Sequence, residues 1–237
     1  MSTDLLLDVL WLVLALPAVF LLFRARSRVL RSIGKYRGVA SLTRLSGSQV
    51  ARVLLDSAGL PHVPIVEIDG ELTDHYDVRR RALKLTSHAL HESSIAAIGI
   101  ATHEVGHAVQ HYSGYRPLRL RIWIVPAAVV LPPLGLALIL AGALAGVHEL
   151  SWLGTFVFLL AITLVVAVLP VEWDASRRGL ELLRANKLAH PEDLPSIHAV
   201  LEVSPLTYLA LLLAAFGQIL VVGLSAAGIT RRSGDSQ

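Results

Sequence analysis

His103-Glu104-Val105-Gly106-His107 is the stretch from which the rest of the chain is read. Histidines at i and i+4 stand on one face of a helix, so both imidazoles can reach a single Zn²⁺. A glutamate directly after the first histidine can take a proton from an attacking water and return it to a departing amine. So short a pattern arises by chance in about two of every hundred chains of this composition, so its surroundings must carry part of the argument.

Immediately upstream, Ile95–Ala101 is apolar but too short to cross a bilayer. It reads instead as the buried half of a helix running from about Ser94 to His111, with the motif on its C-terminal half. Further upstream, Ser48 is placed to cap an amphipathic helix carrying Val50, Val53 and Leu54 that stops at Gly59. Val63–Ile68 reads as a strand and Asp69-Gly70 as a tight hairpin turn. A second strand is expected over Glu71–His75 and a third over Ala82–Thr86. A small sheet followed by a metal-binding helix is an α+β, zincin-like arrangement. An edge strand there can pair with an extended polypeptide and lay its peptide bond across the metal.

Beyond this segment the chain turns strongly apolar. Of 237 residues, 54% are hydrophobic, above the roughly 45–50% usual in soluble domains. Four stretches approach the ~20 apolar residues a spanning helix needs: Leu5–Phe23, Ile122–Gly146, Trp152–Leu169 and Leu206–Ile229. Arg24, Arg26 and Arg28 follow the first without a small-residue cleavage site, which suits a retained anchor better than a signal peptide. Pro126, Pro132 and Pro133 are expected to kink the second span.

The net charge of +3 is a matter of topology. Of 21 Lys and Arg, 15 fall in residues 24–121 and 4 in 171–205, the positive-inside pattern for two cytoplasmic segments. The basic residues therefore do not indicate a nucleic-acid partner. With no cysteine, a disulfide framework, a thiolate metal site and a cysteine nucleophile are excluded.

The expected organisation is mainly α. Residues 1–23 form transmembrane helix 1, and 24–121 a cytoplasmic zincin-like catalytic domain. Residues 122–170 form a transmembrane hairpin turning at Val147–Ser151, and 171–205 a cytoplasmic helical segment. Residues 206–237 form the fourth transmembrane helix and a polar tail.

A catalytic zinc site needs a third protein ligand and one open position. His111 lies about 12 Å along a straight helix from His103 and is a poor candidate. Glu172, in Leu169-Pro170-Val171-Glu172-Trp173-Asp174-Ala175-Ser176, stands where the third span re-enters the cytoplasm. It reads equally as a third ligand or as an interfacial charge capping a membrane helix. Asp174 competes as a ligand, or as a carboxylate orienting an imidazole. His75 and Tyr76 could donate to an oxyanion but read more readily as surface residues at the end of an edge strand. Arg79-Arg80-Arg81 reads as a solvated turn. His88, His91 and His198 lack ligand spacing.

Leu72 through Asp77, Thr102 through Gln110, Gly114-Tyr115-Arg116-Pro117-Leu118 and Leu169 through Ser176 carry a resemblance. Over roughly residues 40–215 the chain resembles the YugP-type family of neutral zinc metallopeptidases of the membrane. Its layout is also similar to the wider group of HtpX-like and CAAX-prenyl-protease membrane metallopeptidases. The resemblance implies one Zn²⁺ per chain held by His103, His107 and Glu172, with Glu104 as general base. The wider group commonly has Asp four residues after its ligand glutamate, where this chain has Ser176. How the imidazole on that side is oriented is therefore open.

The expectation is a multi-pass enzyme of the cell (inner) membrane, with its active site facing the cytoplasm. It would cleave membrane-associated or misfolded polypeptides by means of a zinc-activated water. The alternative is a non-catalytic membrane scaffold or adaptor carrying a degenerate or accidental motif. A coupled transporter is disfavoured, because the spans hold almost no ionisable residue beyond Asp8.

Overall fold

The computed structural model describes residues 27, 31, 33–71 and 73–202. It is mainly helical with one small sheet. The elements are α1 (Gly47–Ser57), β1 (Ile65–Ile68), β2 (His75–Asp77), β3 (Ala82–Thr86) and α2 (Ser87–His91), followed by α3 (Ile95–Tyr112), α4 (Arg116–Ala145), α5 (His148–Ala185) and α6 (Leu194–Leu201). The chain divides into two compact units, one including residues 28–122 and 168–206 and the other including 123–167.

In the first unit, the cap of α1 is Ser46, two residues before the Ser48 expected. Its hydroxyl accepts from Gln49 N–H while the Gln49 side chain accepts from Ser46 N–H, a reciprocal capping box. Val50, Leu54 and Leu55 of α1 pack into a core with Leu83 and Leu85 of β3. Ile95 and Ile98 of α3, Leu183 of α5, and Ile197 and Leu201 of α6 complete it.

The sheet corrects the hairpin expectation. Its order is β1-β3-β2, with β1 parallel to β3 and β2 antiparallel to it. β3 takes the centre because four of its five residues are buried, a continuous apolar run that suits a strand covered on both faces. β2 starts at His75, where a strand ending had been expected. Gly70 does adopt positive φ (+115°), but the turn leads away from β1. Asp74 then pins the chain beside β3 by accepting from Thr86 N–H (2.7 Å) and Thr86 Oγ1 (2.9 Å).

Asp77 closes the β2–β3 connection, accepting from the N–H groups of Arg79 and Arg80 and pairing with Lys84 Nζ at 2.8 Å. Burial opposes the Asp77 charge, but Lys84 and the two amides outweigh it and bring the pKa from 3.8 to about 2. This contribution to stability is present above pH 4 and should fade as the pH falls toward 2. Asp77→Asn should flatten that part of an acid-unfolding curve followed by tryptophan fluorescence.

Asp193, just before α6, accepts at 2.8 Å from both Ser41 Oγ and Leu42 N–H, tying the segment ahead of α1 to α6. Asp193→Ala removes the side-chain acceptor of Leu42 N–H, at ~1–3 kcal/mol, and leaves Ser41 Oγ with Thr43 Oγ1 at 3.0 Å. The thermal midpoint in detergent should drop by several degrees.

The second unit holds residues 123–145 of α4 and 148–167 of α5, and α4 and α5 are the described helices long and apolar enough to cross a membrane. They include the second and third expected spans; Leu5–Phe23 and Leu206–Ile229 lie outside the described residues. α4 continues through Pro126, Pro132 and Pro133. The turn is tighter than the expected Val147–Ser151 loop, because α5 already begins at His148. Gly146 takes φ +67° and Val147 N–H returns to the Gly142 carbonyl, a glycine-terminated helix end. Close approach of the two helices rests on small residues. An ideal Cβ on Gly135 would lie 2.8 Å from the Gly154 carbonyl oxygen, and one on Gly142 2.4 Å from Ser151 Oγ.

Candidate metal centre

α3 and the C-terminal part of α5 cross antiparallel, with backbones unusually close. A Cβ on Gly106 would lie 2.0 Å from the Ala175 carbonyl oxygen, and one on Gly179 2.3 Å from that of Thr102. Thr102/Gly106 and Ala175/Gly179 are each four residues apart, so each pair lies on one helix face. This crossing brings Glu172, 65 positions after His107 in sequence, against the histidines.

His103, His107 and Glu172 are all buried, and each offers a ligand atom lying within 4.8 Å of the other two. Glu172 Oε2 is 3.1 Å from His103 Nε2 and 3.7 Å from His107 Nε2. The surrounding hydrogen bonds set which ring nitrogens carry protons. Gln110 Nε2 donates to the Val171 carbonyl (2.8 Å) and to Asp174 Oδ2 (2.9 Å). Its Oε1 is thereby turned to accept from His107 Nδ1–H at 2.9 Å. Ser176 Oγ donates to the Leu201 carbonyl (3.1 Å) and so accepts from His103 Nδ1–H at 2.9 Å. With both Nδ1 atoms donating, both Nε2 lone pairs point at the carboxylate.

Two lone pairs and a carboxylate oxygen repel one another unless a cation lies between them. A proton on His103 Nε2 answers part of this demand. Burial opposes charge on His103, yet its hydrogen bond with Glu172 and the Glu104 and Glu172 carboxylates raise its pKa. Burial likewise opposes charge on Glu172, but His103, His107 and Arg121 hold it well below its ordinary value. His107 Nε2 nevertheless remains buried without a hydrogen-bond partner. A divalent metal satisfies all three atoms together, and two imidazoles with one carboxylate suit zinc.

The other expected site residues divide clearly. Glu104 is buried on the same helix, and its Oε2 accepts from Tyr76 N–H of β2 at 2.8 Å. Tyr76 is buried, contrary to its reading as a surface residue, and its hydroxyl meets His111 Nδ1 at 2.9 Å. His111 stands outside the group. His75 Nδ1 turns to the Thr73 carbonyl at 2.7 Å. Asp174 orients Gln110 and is braced by Arg177 and Arg178. His88, His91 and His198 stand beside Glu92, Glu67 and Glu202 respectively.

Sequence reading passed over Gln110, Arg121 and the small residues of the crossing. Gln110 follows His107 by three positions, hence on the same face, and Ala175-x-x-x-Gly179 is a small-residue repeat. Those were the available signals. Arg121, whose Nε lies 2.5 Å from Glu172 Oε1, had none.

Residues 11–226 match the family described as "Putative neutral zinc metallopeptidase". The chain belongs to this family. It is also 35% identical over 211 residues to the protein named "Putative membrane protease YugP" of Bacillus subtilis (strain 168), spanning 89% of this chain and 94% of that protein. No solved structure matches the chain. For a member of a zinc metallopeptidase family, Ser176 takes on particular interest. It accepts from His103 where the wider group resembled carries a carboxylate. With His103 as a metal ligand, Ser176→Ala should weaken zinc binding by about 10- to 100-fold, as removal of a group that orients such a histidine typically does. Competition with a chromophoric chelator measures it.

Proposed function

We propose that the chain is an integral membrane zinc endopeptidase with a zincin-like catalytic unit on the cytoplasmic side. His103, His107 and Glu172 would hold one Zn²⁺ per chain, and Glu104 would be the general base. The observation that carries this reading is the convergence of two oriented Nε2 atoms and a buried carboxylate oxygen on one point. Bound zinc supplies a Lewis acid for the scissile carbonyl and lowers the pKa of water toward ~7.

The chain's own residues do the rest. Glu104 accepts the proton of the attacking water and delivers it to the departing amine. Ser176 and Gln110 keep the imidazoles in the tautomer that presents Nε2. The Tyr76 N–H on the outer edge of β2 donates to Glu104 Oε2 and holds the base in place. The two long apolar helices and the distribution of Lys and Arg support a multi-pass inner-membrane protein with this unit in the cytoplasm.

Such a position favours substrates that are themselves anchored, such as misfolded membrane proteins and their cytoplasmic tails. In liposomes, one cleavable peptide should be cut at least tenfold faster when fused to a transmembrane anchor than when free, the gain coming from effective concentration. Equal rates would reject this substrate class. Chelation should abolish cleavage in both cases, and added zinc should restore it.

A further inference from the structure

Glu172 is the only carboxylate among the described residues that faces two buried imidazoles, and its two oxygens have different partners. Oε2 faces His103 and His107 Nε2 at 3.1 and 3.7 Å, while Oε1 accepts from Arg121 Nε. Arg121 comes from α4, separate from the helices carrying the histidines and Glu172, and is the last charged residue before the apolar run beginning at Ile122. Its side chain is one-fifth exposed while that of Glu172 is fully buried.

We infer that Arg121 is a positioning residue that holds Glu172 as a one-oxygen metal ligand. This rests on the zinc-site reading above. A carboxylate beside a divalent ion can bind through one oxygen or both. Binding through both would fill the position that the reaction leaves for water or substrate. A charge-assisted hydrogen bond to Oε1 opposes that rotation, because bringing Oε1 to the metal would break it. Charge balance alone would be met by a guanidinium near either oxygen. The contact falls on Oε1, not on the Oε2 that lies 3.1 and 3.7 Å from the imidazole nitrogens, which is the placement that controls denticity.

The arrangement also explains how a carboxylate can be wholly buried while facing two buried imidazole nitrogens. Arg121 compensates the Glu172 charge through Oε1 and would so support the site before a metal arrives. Arg121 thus acts through Glu172; in this assignment it does not touch substrate.

The test uses the full-length chain in detergent, loaded with Zn²⁺ or with Co²⁺. X-ray absorption of the wild-type zinc form should show one short Zn–O contact from a carboxylate and a four-ligand shell. A bidentate carboxylate in the wild type overturns the inference whatever the variants do. Arg121→Gln should lower zinc affinity about 10- to 100-fold. It should also weaken the visible cobalt absorption, as the released Oε1 enters and raises the coordination number. Arg121→Lys, which keeps a positive charge on a stem of similar reach, should recover most of both. If Arg121→Gln keeps the wild-type affinity within threefold and the same cobalt spectrum, Arg121 does not position the ligand. If the wild-type chain takes up no stoichiometric metal, the zinc-site reading itself fails.

Discussion

Glu104→Gln should lower peptide-bond cleavage by roughly 10²- to 10⁴-fold, the range a positioned general base contributes, while leaving bound zinc unchanged. The substitution keeps the shape of the side chain and an oxygen able to accept from Tyr76 N–H, so the fold around α3 has no reason to move. What it removes is the ability to take and return a proton. Paired rate and metal measurements on one preparation therefore separate catalysis from assembly. Undiminished cleavage would reject Glu104 as the base. A chain that binds zinc but cleaves nothing, with Glu104 or without it, would be the non-catalytic adaptor.

Gly106→Val should remove zinc although every ligand remains in the sequence. A Cβ at this position would lie 2.0 Å from the Ala175 carbonyl oxygen and 2.7 Å from its carbon. Both are backbone atoms, so the clash cannot be relieved by rotating a side chain. α3 and α5 would have to separate, and Glu172, one turn from the contact, would move with α5. Overpacking costs ~1–3 kcal/mol where side chains can yield, and a backbone-to-Cβ clash should reach the upper end or beyond. The expected result is a chain with a lowered thermal midpoint in detergent and less than a tenth of the wild-type zinc content. Gly106→Ala should give the same changes to a smaller degree. Full metal content in the Val variant would show that the helix crossing does not set the ligand geometry.

These two expectations also mark what the sequence made legible. The helix carrying His103 and His107 was readable because an i, i+4 histidine pair places both imidazoles on one face, and Ser94, where that helix was expected to begin, caps it. The apolar runs of α4 and α5 were readable from length and hydropathy alone. Glu172 was legible from its position only as an even choice between ligand and interfacial charge, and the family resemblance tipped that choice, since spacing across a membrane hairpin fixes no distance. Its approach to the histidines depends on the backbone contacts that Gly106, Ala175 and Gly179 permit, a tertiary fact with a weak sequence trace.

The sheet was misread for a related reason. Asp69-Gly70 is a strong local turn signal, but the order of strands was decided by burial of β3 on both faces, which a local signal does not report. Similarly, Ser46 caps α1 because its partner Gln49 lies three residues on. Ser48 is equally acceptable by type but has no such partner. Ser176 departs from the carboxylate expected by analogy, and the structure supplies the missing orientation by another route. The hydroxyl donates to Leu201 and so has only its lone pairs to offer His103.

The most direct measurement is the zinc content of the detergent-purified full-length chain, set beside that of Glu172→Ala. The account predicts one zinc per chain in the wild type and almost none in the variant, because the buried imidazoles then lack their carboxylate partner. A wild-type chain free of zinc after zinc-replete expression, or a Glu172→Ala chain that keeps its full complement, would contradict it.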